Sequence, residues 1–486
     1  MFSCTSGEEA LASDHTTCFC HRPEIQILNR RMGADLSRRG FLGGIAATVA
    51  AQGLPGLAVA QPSGAARRPI VFTNFRLFDG TSASLRDGLR LLVEGGVVRS
   101  VLAGGPKPPE GAEIIDCRGK TIMPGLIDAH WHTLFAALPL PRLLTEDAGY
   151  IHLAASAESE RTLLRGFTTV RDLGGFVFAF KQAVDEGLIA GPRIYPSGAM
   201  ITTTGGHGDL RMLSELPRDA NGSLSSVERS GGGMIADSAA ELQLRVREQL
   251  MQGASQIKLV GGGGVSSPRS PLDMSTFSEA DLKAAIAVAR DWNTIVTVHA
   301  YAPETVQRAV SAGARCIEHA HLMDETTAKM MADKGVWLSI QPFLSAEDTG
   351  TLTGPSHVAS LQVFAGTNNA YQLAIKHKIK TAFGSDMLFS QAHAARQGTM
   401  LTHLTKWYSN ADILKMATST NAELLALSGP RNPYPGKLGV VEEGAFADLL
   451  LVDGNPLDDI SLLANPDRSL LIVMKDGKIY KNTLPR

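Results

Sequence analysis

The sequence predicts an α/β protein with a parallel (β/α)8 barrel and a small β-domain built from both terminal segments. Between residues 126 and 429, eight apolar strand candidates alternate with helical stretches, an alternation typical of a parallel barrel. Short strands joined by tight turns precede this region and return after it. The 486 residues are enough for a barrel and a second domain.

The small β-domain is predicted from residues 68–125 and 430–486, which we expect to form one β-sandwich with the barrel inserted between them. Turns such as Glu94-Gly95-Gly96 and Asp476-Gly477 separate its apolar segments. The strand candidates are residues 70–73, 89–93, 97–102, 448–452, 470–474 and 478–480.

The barrel is predicted over residues 126–429. A capping box at 278–281, with aspartate where glutamate is usual, marks the start of one helix. Residues 200–237 are rich in Gly, Ser, Asn and Pro, and a loop of this length is usually functional or disordered. We interpret it as a mobile cover over the barrel mouth, the alternative being a disordered surface insert. The barrel strands centre on Ile127, Val170, Ile194, Ile257, Val296, Ile317, Leu338 and Ala382.

A pair of histidines one residue apart, His130 and His132, ends the segment MPGLIDAHWH at 123–132. Residues i and i+2 of a strand face the same side, so both imidazoles leave the strand end together and can hold one metal ion. Such ligands suit zinc or a similar divalent ion. Surface histidine pairs with this spacing also arise by chance. Asp128 lies two residues before His130 on the same strand candidate. We expect its side chain either to have a structural role or to form a hydrogen bond with the second ring nitrogen of a ligand histidine.

Further residues of ligand type end other strand candidates: His299, His319 and Asp386. Lys258 lies inside the apolar run 256–260, where burial of an ammonium group is costly and lowers its pKa. A neutral amine can react with carbon dioxide to give a carbamate, which places a carboxylate on the lysine stem. The alternative is a lysine paired with a buried carboxylate. The carboxyl ends of barrel strands carry the active site, so these residues are expected to meet there.

Together these motifs resemble the amidohydrolase superfamily, in its imidazolonepropionase-like and prolidase-like branch, over nearly everything from about residue 70 onward. The resemblance implies a (β/α)8 TIM barrel flanked by a small β-domain, with a carboxylated lysine bridging two metal ions. The motifs are PGLIDAHWH (124–132), GFTTVRD (166–172), IKL (257–259), VHA (298–300), EHA (318–320), GSD (384–386) and GAFADLL (444–450).

By this resemblance each site residue has an expected role. Asp386 would take a proton from the nucleophilic water and pass it to the leaving amine, since water beside such ions ionises near neutral pH. His207 and Tyr301 would contact the substrate carboxylate or the tetrahedral oxygen, the alternative for both being loop packing. His321 is expected in a loop. The metal ligands would be His130, His132, His299, His319, Asp386 and Lys258 as its N6-carboxylated form.

The expected function is hydrolysis of an amide by metal-activated hydroxide at two divalent ions, most naturally zinc. The substrate would be a small peptide or N-acyl amino acid, with prolidase-like or carboxypeptidase-like activity and an extension to bulky aromatic amides of the ochratoxin kind. The apolar run Met387-Leu388-Phe389 indicates an apolar side-chain pocket. One alternative is a cyclic amide hydrolase like imidazolonepropionase, which has one metal and no bridging lysine. The other is a catalytically inactive relative that acts by binding.

Composition and the first residues give the expected location. The chain is 44% hydrophobic and 19% charged with net charge −2, which offers no basic face for nucleic acid. Residues 32–60 resemble a twin-arginine signal peptide, with Arg38-Arg39 before a Gly/Ala-rich stretch and Ala58-Val59-Ala60. We therefore expect a periplasmic or secreted protein without a membrane anchor. Residues 1–31 are interpreted as a non-native extension. The sequence is compatible with a homo-oligomer.

Overall fold

The computed structural model describes residues 68–105, 107–217, 223–267, 269–350 and 352–484. The interpretations of residues 1–31 and 32–60 concern residues outside these ranges, and both stay predictions. Among the helices of the described ranges, none combines the length and the apolar character that a membrane crossing requires.

The described residues form seventeen strands. In chain order they are β1 (Ile70–Leu77), β2 (Leu89–Glu94), β3 (Val97–Ala103), β4 (Glu113–Pro124), β5 (Leu126–Trp131), β6 (Phe167–Asp172), β7 (Arg193–Pro196), β8 (Met200–Thr202), β9 (Gly233–Ile235), β10 (Ile257–Val260), β11 (Val296–Ala300), β12 (Cys316–His319), β13 (Trp337–Ile340), β14 (Thr381–Phe383), β15 (Leu449–Val452), β16 (Leu470–Lys475) and β17 (Lys478–Asn482).

The α-helices of the same residues are α1 (Leu140–Thr145), α2 (Ala148–Leu164), α3 (Phe178–Asp185), α4 (Ser226–Arg229), α5 (Ala239–Met251), α6 (Glu279–Asp291), α7 (Pro303–Ala312), α8 (Glu325–Asp333), α9 (Ala346–Thr349), α10 (Gly354–Lys376), α11 (Gln391–Ala394), α12 (Gln397–His403), α13 (Asn410–Lys415), α14 (Asn421–Ala426) and α15 (Pro466–Ser469). A π-helical turn spans Met416–Thr420. Short 3-10 turns occur at Leu213–Glu215, Leu404–Lys406, Gly429–Arg431 and Ile460–Ala464.

The β-rich domain contains strands from both ends of the described chain. Its sheet has the order β17-β16-β15-β4-β1-β2-β3, so β4 from the first segment pairs directly with β15 from the last. One face packs into its own apolar core, which includes Phe72, Leu91, Ile122 and Leu451. The prediction that the two terminal segments share one β-domain is confirmed.

Eight parallel strands form the barrel: β5, β6, β7, β10, β11, β12, β13 and β14. Each of the eight predicted strand centres lies in one of them, so this fold prediction is confirmed. Between β14 and β5, the amide of Asp386 donates to the carbonyl oxygen of His130 at 2.8 Å. The strands are buried on both faces, as expected for a parallel sheet covered by helices.

The capping box is also confirmed. The Ser278 hydroxyl accepts from the amide of Asp281 at 3.2 Å, and the Asp281 carboxylate accepts from the amide of Ser278 at 3.1 Å. These two bonds satisfy donors at the start of α6 that have no partner within the helix.

The described parts of residues 200–237, which are 200–217 and 223–237, contain more secondary structure than a plain loop. They contain β8 and β9, which pair in parallel, and the short helix α4. β8 also pairs with β10 through Ile201 and Leu259, so the segment is attached to the barrel wall. His207, Gly208 and Leu210 line the central cavity, and the interpretation of the segment as a mobile cover stays a prediction.

An ion-pair network joins the barrel to the β-domain. Arg193, the first residue of β7, contacts Asp448 at 2.9 Å and Asp476 at 2.8 Å, and its guanidinium carbon lies 4.0 Å from the ring centre of Phe446. Lys475 is buried beside this network and donates to the carbonyl oxygen of Gly191 at 2.7 Å. Burial lowers the pKa of Lys475 to about 8, with Arg193 adding to the shift.

This buried lysine predicts a pH-dependent stability. In the unfolded chain a lysine titrates near pH ~10.4, so between pH 8 and 10 the unfolded state binds more protons than the folded state. The free energy of unfolding therefore rises with pH in this window, by at most about 3 kcal/mol. We expect Lys475→Met to remove this contribution. The measurement is the free energy of unfolding, from denaturant titrations between pH 7 and 10. The wild-type free energy minus that of the variant should increase with pH. A constant difference would contradict the assignment.

Candidate metal centre and active site

The predicted site residues surround one cavity of about 270 Å³ at the carboxyl ends of the barrel strands. These residues come together because most of them lie at the carboxyl ends of parallel barrel strands, where side chains from different strands meet in one layer. The structure brings all eight together, and their roles stay predictions. The cavity-lining members are His130, His132, His207, Lys258, His299, Tyr301, His319 and Asp386.

The first group of candidate ligands is His130, His132 and Asp386. Oδ1 of Asp386 lies 3.4 Å from Nε2 of His130 and 3.2 Å from Nε2 of His132. Ligand atoms about 2.1 Å from one tetrahedral zinc ion are ~3.4 Å apart, so each of these two separations fits a shared divalent ion. Among the described residues, the ligand atoms of His130, His319 and Asp386 all lie within 4.8 Å of one another. Oδ1 of Asp386 is buried without a hydrogen-bond partner among the described residues, which also fits a metal ligand.

The second group is His299 and His319, whose ring centres are 4.4 Å apart. Nε2 of His299 contacts the carbonyl oxygen of Gly263 at 2.8 Å, and Nδ1 of His319 contacts the side-chain oxygen of Gln341 at 2.7 Å. Metal-binding histidines usually donate their other ring N–H in this way, which leaves the second nitrogen for the ion. The backbone of His319 has φ of 78° and that of Asp386 has φ of 51°. Both lie in the left-handed region, which residues other than glycine rarely adopt.

Protonation states at the site also fit divalent ions. Burial lowers the pKa of His130 to about 4 and holds those of His299 and His319 well below the usual range. The pKa of Asp386 is lowered although burial opposes this, because His130 and His132 favour the carboxylate. Neutral imidazoles and an ionised carboxylate are the forms that bind metal.

Lys258 lies on β10, is 1% exposed and faces the same cavity. Among the described residues, no carboxylate oxygen lies within 4.0 Å of its amine, so the alternative of a direct buried ion pair is not met. Burial lowers the pKa of Lys258 to about 8, opposed by the more distant charges of Glu318 and Asp386. An amine with this pKa is partly neutral at pH 7 to 8, the form that reacts with carbon dioxide.

His207 and Tyr301 pack against the second group. The His207 ring stacks on His299 with ring centres 4.4 Å apart, and Tyr301 stacks on His319 at 4.7 Å. Burial lowers the pKa of His207 to about 4 and holds that of Tyr301 well above its usual range. Both are therefore neutral hydrogen-bonding groups at pH 7. His321 follows β12 as expected, but it is fully buried and contacts the carbonyl oxygen of Gln341 at 2.9 Å.

Asp128 has a structural role in this arrangement. Its carboxylate accepts from the backbone amides of His130 and Ser385, both at 3.0 Å, and from the Gln397 side chain at 2.8 Å. It therefore fixes the ends of the first and eighth barrel strands beside His130 and Asp386. Among the described residues, Asp128 forms no hydrogen bond or ion pair with the imidazole ring of a candidate ligand.

The sequence interpretation gave no role to Glu318 and Gln341, which support the candidate ligands. Oε2 of Glu318 lies 2.8 Å from Nδ1 of His130. The Gln341 side chain contacts His319 and lies 3.3 Å from Nδ1 of His130. The only sequence signal was a polar residue within or just after an apolar strand, at Glu318 in β12 and at Gln341 after β13.

Comparison with known proteins agrees with the fold. Residues 121–480 match the model of the amidohydrolase family, which is well over half of the chain. Ochratoxinase of Aspergillus niger is 31% identical over 337 residues, covering 66% of this chain and 66% of that protein. The match therefore spans just under two thirds of the ochratoxinase.

Two solved structures are similar over more of the chain. One is an amidohydrolase with 36% identity and a TM-score of 0.78, covering 86% of this chain and 100% of that chain. The other is a prolidase in complex with N-methylphosphonate-L-proline, with 32% identity and a TM-score of 0.77, covering 85% of this chain and 100% of that chain. Taken with the family match, these likenesses place the chain in the amidohydrolase family.

Proposed function

We propose that the chain is a binuclear metallohydrolase that cleaves N-acyl amino acids and short peptides with a free carboxylate and a bulky apolar side chain. The observation that carries the proposal is the convergence of His130 and His132 on Oδ1 of Asp386, at 3.4 and 3.2 Å, beside the buried Lys258. Three candidate ligands, two imidazoles and one carboxylate, and an amine suited to carbamate formation then face one cavity.

The residues present fit two divalent ions, and imidazole and carboxylate ligands favour zinc. His130, His132 and Asp386 would hold the first ion, His299 and His319 the second, and carboxylated Lys258 would lie between them. When bound, the ions would supply Lewis acidity, which brings the pKa of a water molecule near neutrality and polarises the scissile carbonyl.

The remaining chemistry belongs to side chains of the cavity. Asp386 is ionised and faces the cavity, so its carboxylate can accept a proton from the water and donate it to the leaving nitrogen. Tyr301 keeps its phenolic proton and His207 is a neutral imidazole, so each can donate a hydrogen bond to an oxygen of the substrate.

The cavity wall supports an apolar substrate group. Phe135 and Phe389 stack with ring centres 6.1 Å apart, and Phe135 also stacks on His132 at 5.5 Å. Leu352, from the segment between β13 and α10, lines the same wall together with Val363, Phe364, Met387 and Leu388. Among the described lining residues Lys258 is the one lysine or arginine, so hydrogen bonds from His207 and Tyr301 would hold the substrate carboxylate.

The relatives support this substrate class. The ochratoxinase is named for ochratoxin, so we extend the proposal to bulky aromatic amides of that kind. The prolidase complex contains a phosphonate derivative of proline, which supports a dipeptide with its C-terminal residue in the corresponding cavity.

The test is a substrate panel with zinc-replete protein: N-acetyl amino acids with apolar and charged side chains, Xaa-Pro dipeptides and lactams. We expect kcat/KM to be at least ~10-fold higher for N-acetylphenylalanine than for N-acetylglutamate, because a charged side chain loses hydration in an apolar pocket. Hydrolysis of lactams without hydrolysis of linear amides would contradict the proposal and favour the cyclic amide hydrolase.

Truncation of the apolar wall should change selectivity. We expect Phe389→Ala to lower kcat/KM for N-acetylphenylalanine about 10-fold, a loss of ~1.4 kcal/mol of apolar contact, and to change that for N-acetylalanine by less than ~3-fold. The matched control is Phe178→Ala, a half-buried phenylalanine of α3 outside the cavity. Equal losses for both substrates, or the same effect in the control, would contradict a selective role for Phe389.

A further inference from the structure

Glu318 is a carboxylate enclosed within the barrel beneath the candidate metal centre. It lies on β12 immediately before His319, and its side chain is fully buried. Oε2 lies 2.8 Å from Nδ1 of His130. Oε1 accepts from the Arg171 guanidinium at 2.8 Å and from the Thr297 hydroxyl. Oε1 therefore has hydrogen-bond donors on two other barrel strands, while Oε2 lies against the His130 ring.

Arg171 connects this carboxylate to the strand that carries His130. Its side chain is 1% exposed, and its second terminal nitrogen donates to the carbonyl oxygen of Ala129 at 3.0 Å. Removing two charges from water costs free energy that their mutual attraction often fails to recover. A buried ion pair at this place is therefore poorly explained by stability alone, and its contact with His130 indicates a role toward the metal centre.

The partners of the candidate ligands differ in charge. His130 faces the Glu318 carboxylate, whereas His299 faces the carbonyl oxygen of Gly263 and His319 faces the amide oxygen of Gln341. A carboxylate makes the imidazole a stronger donor to a metal than a neutral carbonyl does. Nδ1 of His130 also lies 3.3 Å from the amide nitrogen of Gln341, and the Glu318 carboxylate oxygen is the nearer of the two, at 2.8 Å.

We propose that Glu318 is a positioning residue that fixes Nε2 of His130 toward Asp386 and gives the first metal position a higher affinity than the second. The first position is that of His130, His132 and Asp386, and the second that of His299 and His319. This inference rests on the proposed binuclear centre. It predicts that the two ions leave in two separate steps when a chelator removes them.

The test is zinc titration of metal-free protein by calorimetry, with zinc content measured by atomic emission during chelation. Wild-type protein should contain two classes of site. Glu318→Gln keeps the side-chain shape and removes the charge, and it should weaken the tighter class by 10- to 100-fold with the weaker class changed by less than ~3-fold. Thr297→Val removes one hydrogen bond to Glu318 without removing the charge, and should leave the tighter class within ~3-fold of wild type.

A second variant protects the test from a folding defect, because Glu318→Gln leaves Arg171 without its buried carboxylate. Arg171→Met combined with Glu318→Gln removes both charges, and it should weaken the tighter class in the same way. An unchanged tighter class in either folded variant, or equal weakening of both classes, overturns the role of Glu318. Wild-type protein that binds no zinc overturns the proposed function itself, which separates the two failures.

Discussion

Replacing Lys258 with methionine is expected to lower amide hydrolysis at least ~10³-fold and to reduce the bound metal. Methionine keeps most of the side-chain volume in this buried position, so the barrel should still fold. It cannot react with carbon dioxide, so the proposed bridge between the two metal positions could not form. If the assembled metal centre lowers the activation barrier by about 4 kcal/mol, a protein that cannot assemble it reacts about 10³-fold more slowly.

The matched control for this prediction is Lys475→Met. Lys475 is also a buried lysine with its pKa lowered to about 8, but it lies at the junction of the barrel and the β-domain. This variant should keep its metal content and its kcat. Addition of a short carboxylic acid to Lys258→Ala, whose smaller side chain leaves space at this position, should restore part of the activity, since the acid can take the place of the carbamate. Full activity and full metal content in Lys258→Met would contradict the proposed bridge.

Asp386→Asn is expected to lower kcat for amide substrates by 10²- to 10⁴-fold, the range of a lost general acid–base group. Asparagine keeps the shape but cannot accept a proton from the water or transfer one to the leaving nitrogen. An amide requires this transfer, whereas an activated aryl ester has a leaving group that departs as an anion. The loss in kcat should therefore be much smaller for an aryl ester than for the matching amide.

The control is Asp348→Asn, because Asp348 also lines the cavity but its carboxylate accepts from the amide of Leu344 at 2.8 Å and from Arg396 at 3.1 Å. Asp348→Asn should lower kcat for the amide and the aryl ester to the same extent, and by less than Asp386→Asn lowers kcat for the amide. If Asp386→Asn slows ester and amide hydrolysis to the same extent, Asp386 acts in metal binding and not in proton transfer to the leaving group.

The barrel could be predicted from the sequence because each of its strands is marked by a short apolar run in consecutive residues. The eight strand centres are apolar runs, and a residue of ligand type at a strand's carboxyl end must lie near its counterparts on other strands. His130 and Asp386 therefore meet although 256 residues separate them in the sequence (386 − 130). The expectation that His207 and Tyr301 lie at the cavity came instead from the resemblance to the amidohydrolase superfamily.

The contacts of the side chains that support the candidate ligands could not be predicted in this way. The pairing of Arg171 with Glu318 depends on two side chains 147 residues apart that both point into the barrel interior. A single sequence contains charged residues in apolar strands, but not the strand spacing and stagger that decide which ones meet. For the same reason β8 and β9 were missed within residues 200–237, because each has only three residues and is stabilised by pairing with its neighbours.

The most direct test of the account is a crystal structure of the protein grown with ample zinc and bicarbonate. We predict electron density for a carboxyl group on Nζ of Lys258, lying between one metal ion at His130, His132 and Asp386 and another at His299 and His319. Density for an unmodified amine at Lys258 in zinc-loaded crystals would contradict the carbamate bridge on which the proposed function depends.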